Sequence, residues 1–327
     1  MAPAEITGES KSSGSKSPGR SFISDATKVN HPTAIEVPRG IQNSPGCCGW
    51  ISAGQECNLG AVRKPSIACA MLVLGATIAH AQSTLPAGPS APRFRVLALA
   101  ESGGHHVAFT KEAKPWLRKC SEENGFEVDY ITDTTPITEA FLAKYRLVLQ
   151  LDFVPYGWKP EAMAAFKRYI EEGRGGWVGL HHATLLGTFD GHPMWPWFSD
   201  FMGGIKFKNY IPKFSSGTVR VEDKGHPCMK GVPESFIIPK EEWYTYDRSP
   251  RGNVHVLASV DEATYSDPSA VRMGDHPVIW TNERMKARNV YIFMGHGPWL
   301  FENGAFTTIF RNAILWAGEK QPISKPK

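Results

Sequence analysis

Histidines of this 327-residue chain recur where short apolar segments end. His105 and His106 follow the first such segment, His181 and His182 close a later one, and His296 follows the last. Because an imidazole has an ordinary pKa of about 6.5, it can accept and release a proton near neutral pH. A single histidine of this kind is usually an ordinary loop residue. Histidines at three segment ends together favour a site for acid/base chemistry.

A second candidate lies in the run Glu241-Glu242-Trp243-Tyr244. Two adjacent acids are commonly a solvated turn, but Glu242 could equally act as a general acid/base or a metal ligand beside Tyr244. Three histidines and one glutamate would suit Zn²⁺ or a related ion. No close spacing such as H-x-x-x-H supports a metal, so we assign no metal ligand and leave the cofactor open.

Tryptophans and two further histidines are weaker candidates. Trp280 and Trp299 either stack against sugar rings or pack in the core. His226 and His276 each precede a proline, which indicates rigid loops.

Alternating strands and helices would position these residues. Predicted strands at 94–100, 127–132, 146–153 and 176–182 alternate with predicted helices at 109–125, 138–145 and 160–173. This rhythm predicts a mostly parallel sheet with helices on both faces. Ligands bind outside the carboxyl ends of such strands, so the topology should gather the histidines along one edge. Adjacent strand residues point to opposite sides, so we expect only one of His181 and His182 to face a ligand.

The second half of the domain reads as β-rich. After a loop rich in Trp and Pro at 192–198, strand-like segments fall at 217–222, 236–238, 254–260, 278–281 and 290–294. A closing helix is predicted at 306–317. We expect one domain, residues 94–318, with an elaborated second half and a short tail at 319–327.

The first 93 residues differ in kind. Residues 1–61 are rich in Gly, Ser and Pro, and we expect them to be disordered or to precede the true translation start. Residues 62–81 combine a basic start, a short apolar run and A-x-A, which is typical of a signal peptide, and 82–93 form a linker. We therefore expect an exported protein, periplasmic or extracellular. The apolar run is too short to span a bilayer.

Net charge and cysteine content exclude one class of partner and a disulfide framework. The net charge of +4 comes without a long basic run, which argues against nucleic-acid binding. Only Cys120 and Cys228 follow the predicted cleavage point, so no disulfide framework is expected. Oligomeric state stays open.

Short motifs recur in a fixed order through the domain. They are G-x-x-H at 103–106, a Gly-rich V-G-L-H at 175–181, Gly-Gly at 203–204, H-P-x-x-x-G-x-P at 226–233, an acidic pair before Tyr at 241–244, P-V-x-W at 277–280 and G-H at 295–296. This series resembles the trehalose-utilisation (ThuA-like) family over about residues 94–318. Glu241 stands where the family often has Asp, and 206–209 lack a histidine that the family often carries.

The resemblance implies a flavodoxin-like α/β fold similar to that of class I glutamine amidotransferases. In those enzymes the elbow after the strand holds a nucleophilic cysteine, but here His181 stands at the matching position. Because a thioester needs a thiolate, glutamine hydrolysis by that route is excluded.

The resemblance also implies a carbohydrate partner, either a disaccharide or a keto-sugar. The acid/base residues fit a hydrolase or an isomerase reaction. We predict that His181 and Glu242 form the acid/base pair. Predicted substrate-binding residues are His106, His296, Tyr244, Trp280 and Trp299. The alternative is a carbohydrate-binding protein of the same fold without catalysis.

Overall fold

A computed structural model describes residues 91–101 and 103–319. The predicted extension and signal peptide, most of the linker and nearly all of the tail lie outside the described residues. In the described part of the chain, no helix combines the length and apolarity needed to cross a membrane.

Eleven strands and five α-helices make up the described domain. The strands are β1 (Phe94–Ala100), β2 (Phe126–Ile131), β3 (Leu147–Leu151), β4 (Gly176–Leu180), β5 (Phe207–Tyr210), β6 (Ser215–Val221), β7 (Ser235–Glu241), β8 (Tyr244–Tyr246), β9 (His255–Asp261), β10 (Pro277–Thr281) and β11 (Asn289–Ile292). The helices are α1 (Val107–Asn124), α2 (Glu139–Leu142), α3 (Pro160–Glu171), α4 (Pro196–Phe201) and α5 (Gly304–Gly318).

Nine of the strands form one sheet in the order β2-β1-β3-β4-β11-β10-β9-β6-β7, and β5 pairs with β8. The first five pair in parallel, and the rest continue antiparallel. All strands of this sheet except β6 and β10 therefore run in one direction. The predicted α/β class and mostly parallel sheet are confirmed. The β-rich second half is an extension of the same sheet.

Helices cover both faces of the sheet, as predicted. A side chain added at Gly176 in β4 would lie 2.1 Å from the carbonyl oxygen of Ala317, so α5 packs directly against that face. The next residue, Trp177, points to the other face, where its ring meets Phe198 and Phe201 of α4 at centroid distances of 6.0 and 5.0 Å.

Local sequence explains where the main helices begin and end. Pro160 occupies the start of α3, where its missing N–H costs nothing. Asn303 caps α5, because its side-chain oxygen accepts the N–H groups of Ala305 and Phe306. Gly125 ends α1 in the left-handed conformation, with φ of 72°.

Three short elements were not predicted. The Trp- and Pro-rich segment was expected to be a loop, but Pro196 starts α4, whose Phe198 and Phe201 are buried. Strand β5 is mostly exposed and shows no apolar alternation. Strand β8 follows the acidic pair so closely that the sequence indicated a turn instead.

Candidate active site

Four neighbouring strands bring their following residues to one edge of the sheet. Glu101 follows β1, Asp152 follows β3, His181 follows β4, and His296 comes soon after β11. Because β1, β3, β4 and β11 are adjacent and parallel, these residues converge, as expected from the topology. His106 joins them from the residue that precedes α1.

His181 occupies a strained elbow at the end of β4. Its φ of 36° lies in a region that side chains rarely adopt, and the chain turns there into a short 3₁₀ helix, His181–Thr184. The imidazole Nδ1 lies 3.0 Å from the carbonyl oxygen of Phe293. A carbonyl only accepts, so the neutral ring carries its hydrogen on Nδ1 and leaves Nε2 bare. The hydroxyl of Tyr244 donates to this bare Nε2 at 2.9 Å.

Glu242 faces the same imidazole from the loop between β7 and β8. Its Oε2 lies 3.6 Å from Nε2 of His181 and 3.3 Å from Nδ1 of His296. Burial alone would raise the pKa of Glu242, but the imidazoles of His181 and His296 that face its carboxyl group lower it to about 2. Glu242 is therefore a carboxylate at neutral pH.

The acidic pair is not the solvated turn that such pairs commonly form. Glu241 is completely buried at the end of β7 and accepts the N–H groups of Glu242 and Gly295, at 2.9 and 3.2 Å. Burial raises the pKa of Glu241. Glu241 thus ties the loop that carries Glu242 to the loop that carries His296.

His106 and His296 bring two ring nitrogens together. Nε2 of His106 lies 2.9 Å from Nδ1 of His296. His106 is buried, and burial together with the charge of His296 lowers its pKa to about 3. Burial, with a smaller contribution from the charge of His106, also lowers the pKa of His181. His106 and His181 therefore favour the neutral form and offer lone pairs.

His182 lies beside His106 and His181, and its ring does not point away from theirs. The expectation that His181 and His182 face opposite sides was wrong, because β4 ends at Leu180 and strand alternation no longer applies. The ring of His182 lies 3.8 Å from that of His106, and its Nδ1 lies 3.6 Å from Oε2 of Glu101. Burial raises the pKa of Glu101 to about 7.

Among the residues that the structure describes, two groups of side chains have the geometry to hold a metal ion. In each group the ligand atoms lie within 4.8 Å of one another. The first contains His106, His181, Glu242 and His296, and the second contains Glu101, His106 and His182.

Asp152 is a buried carboxyl that the sequence reasoning missed. It has a φ of 56°, is fully buried, and neither side-chain oxygen has a hydrogen-bond partner among the described residues. Burial and the nearby charges of Glu101 and Glu241 raise its pKa well above the usual range, which favours its protonated form. Its position just after β3 was the one available signal.

The two tryptophans that were predicted to bind substrate lie in different parts of the structure. Trp299 lies near the site, with its ring 6.5 Å from that of His296, and Phe214 contacts both rings at 4.6 and 5.4 Å. Trp280 is 1% exposed and packs against Tyr291, so it takes the core role and forms no wall of the site.

The cysteines take no part in the site. Cys120 and Cys228, the two in the described part of the chain, are free and buried. Burial raises the pKa of Cys120 to about 11 and that of Cys228 further. Neither thiol is therefore disposed to form the thiolate that glutamine hydrolysis requires.

Comparisons with known proteins identify the family. The family model described as ThuA, trehalose utilisation, matches residues 95–317. A ThuA-like protein of Bacteroides uniformis is 33% identical with a TM-score of 0.63, and the match covers 69% of this chain and 92% of that one. A ThuA-like protein of Parabacteroides merdae is 20% identical with a TM-score of 0.51, covering 72% and 95%. A search of curated proteins finds no match. This chain belongs to the ThuA family, whose description, trehalose utilisation, supports a carbohydrate-related role.

Proposed function

We propose that this chain is an exported enzyme that performs proton transfer on a disaccharide or keto-sugar at the centre formed by His106, His181, Glu242 and His296. The observation that carries the proposal is the convergence of these four side chains, from separate parts of the sequence, within 4.8 Å. Acid/base groups placed at the substrate contribute about 10²–10⁴-fold to a rate.

The exposed fraction of each side chain indicates which residues can reach a substrate. Glu242 and His296 are 19% and 12% exposed, whereas His181 is fully buried. Glu242 therefore meets the substrate and exchanges the proton. His181, its acid/base partner, lies behind it and holds Tyr244 in place. Proton abstraction beside a keto group, and hydrolysis, both fit this arrangement.

Incubation with a panel of disaccharides and their keto forms would test the proposal, with products read by mass. Carrying out the reaction in D₂O and in H₂¹⁸O separates the two reaction types. Deuterium on carbon indicates proton abstraction, and ¹⁸O in the product indicates hydrolysis. No turnover of any panel member by pure, folded protein would contradict the proposal.

Variants then test which side chains are required for turnover. We expect His181→Ala and Glu242→Gln to lose turnover on the verified substrate, whereas Glu283→Gln, a change of an exposed glutamate, should not. If His181→Ala and Glu242→Gln both retain wild-type turnover, the assignment fails.

An aromatic rim favours carbohydrate binding without catalysis as the second candidate. Phe214 is 39% exposed beside Trp299, and aromatic faces of this kind stack on sugars. In that case Trp299→Ala would abolish binding and His181→Ala would only weaken it, with no turnover in either protein.

A further inference from the structure

We infer that His106, His181, His296 and Glu242 form a binding site for one divalent transition-metal ion, with Zn²⁺ as the chemically best-matched ion. Three imidazole nitrogens and one carboxylate oxygen are ligand types that Zn²⁺ takes in proteins.

The first argument is a count of hydrogens. The two facing nitrogens of His106 and His296, 2.9 Å apart, have room for one hydrogen between them. Nε2 of His181 is bare, because Nδ1 donates to Phe293, and it receives one hydrogen from Tyr244. With Oε2 of Glu242 included, four acceptor atoms therefore share only two hydrogens. Such an excess of acceptor atoms at a largely buried position suits a bound cation.

The second argument is the spacing of the ligand atoms. A tetrahedral ion with ligand distances of about 2.0–2.1 Å separates its ligand atoms by about 3.3 Å. The measured separations are 2.9 Å for His106–His296, 3.3 Å for His296–Glu242 and 3.6 Å for His181–Glu242. The other three separations lie within 4.8 Å, so modest movements of these side chains would bring the four atoms around one ion.

The third argument is the support behind the ligands. Metal-binding histidines usually direct the other ring nitrogen to a carbonyl or carboxylate, which fixes the ring. His181 directs Nδ1 to the carbonyl of Phe293, and Nδ1 of His106 lies 3.5 Å from Oε2 of Glu101. Nδ1 of His106 has no hydrogen-bond partner in the described residues, and Oε2 of Glu101 also lies 3.6 Å from Nδ1 of His182.

The ion would also extend the chemistry of the site. A bound divalent ion polarises a carbonyl or hydroxyl oxygen, which suits a keto-sugar. Glu242 would bind through Oε2, leaving its second oxygen for the substrate. The metal site does not depend on the proposed turnover, because binding is measured without sugar.

The test is metal binding by the full chain. Protein treated with chelator and then dialysed would be titrated with Zn²⁺ against a chromophoric chelator, and its metal content measured by mass spectrometry. We expect about one equivalent in the wild type and at least a roughly 100-fold loss of affinity in His106→Ala, His296→Gln and Glu242→Gln, since loss of supporting residues alone costs about 10–100-fold. The matched control is His105→Ala, an exposed neighbour outside the group, which should bind as the wild type does.

Two results would overturn the inference. One is less than about 0.1 equivalent of Zn²⁺ retained by folded wild-type protein at micromolar free metal. The other is wild-type affinity in both His296→Gln and Glu242→Gln, whose side chains keep the size needed for folding. X-ray absorption of the loaded protein should show three nitrogens and one oxygen at about 2.0–2.2 Å. Failure here leaves the turnover test of the proposed function unaffected.

Discussion

Two of the glutamate–histidine pairs in the described residues differ in how closely the partners meet and in how far solvent reaches the carboxylate. In the first, Oε1 of Glu262 lies 2.8 Å from Nδ1 of His276, and the carboxylate also accepts the N–H groups of Met273 and Gly274 at 2.7 and 2.9 Å. Burial would raise the pKa of Glu262, but these hydrogen bonds outweigh it and lower the pKa. This pair fastens the loop before β10.

The second pair, Glu242 with His181, is looser and richer in acceptors. Its atoms are 3.6 Å apart, and the carboxylate is 19% exposed, against 8% for Glu262. The comparison shows that burial of a His–Glu pair does not by itself mark a site. The second pair is set apart by further imidazole nitrogens that converge on its carboxylate and by a carboxylate that solvent can reach. We therefore expect substitutions in the first pair to change stability and substitutions in the second pair to change activity.

The largest expected effect is on turnover. Glu242→Gln should reduce kcat on a verified substrate by about 10²–10⁴-fold, because the amide cannot take a proton. Glu262→Gln should leave the kcat of the folded protein close to that of the wild type. Equal losses in the two variants, measured by steady-state kinetics, would remove the distinction between the pairs.

The next effect is on folding. Glu262→Ala should lower the free energy of unfolding by about 3 kcal/mol, because two backbone N–H groups and the ring of His276 lose their acceptor. Glu242→Gln should lower it less, since the amide keeps the size of the side chain and can donate as well as accept hydrogen bonds. Urea unfolding measures both values. A larger loss from Glu242→Gln would make that residue structural.

A smaller effect concerns the hydroxyl behind His181. Tyr244→Phe removes the donor to Nε2 of that imidazole and should cost about 1 kcal/mol of stability. Tyr210→Phe is the matched control, because Tyr210 is 48% exposed. Identical unfolding curves for the two variants would show that the Tyr244 hydroxyl contributes nothing to the centre.

The smallest effect belongs to an exposed cluster, which shows what ion pairs contribute without burial. Hydrogen bonds from Arg251 lower the pKa values of Glu222 and Asp275. Such stabilisation is present above the unfolded pKa values of about 4.3 and 3.9, and it is lost as pH falls through the lower folded values. Arg251→Met should therefore cost about 1 kcal/mol at pH 7, given solvent screening, and almost nothing near pH 2. A cost that persists in acid would point to lost packing.

The sequence predicted the parallel half of the sheet well, because buried strands such as β3 and β4 are continuous apolar runs between clear helices. It also predicted the convergence of His106, His181 and His296, since topology alone determines which strand ends meet. It could not predict β8, which pairs with β5, or the burial of Glu241, which accepts the N–H of Gly295 after β11, because both depend on contacts between segments distant in sequence. Asp152 was missed because a lone acid after a strand carries no pattern.

The most direct test of the site formed by His106, His181, Glu242 and His296 is to locate the hydrogen on the His181 ring. Long-range ¹⁵N–¹H spectra of the metal-free protein at neutral pH report which ring nitrogen of each histidine carries a hydrogen. The structure predicts a neutral His181 with hydrogen on Nδ1 and a bare Nε2, because Phe293 accepts from the first and burial lowers the pKa. A doubly protonated His181 ring, or hydrogen on Nε2, would contradict the account.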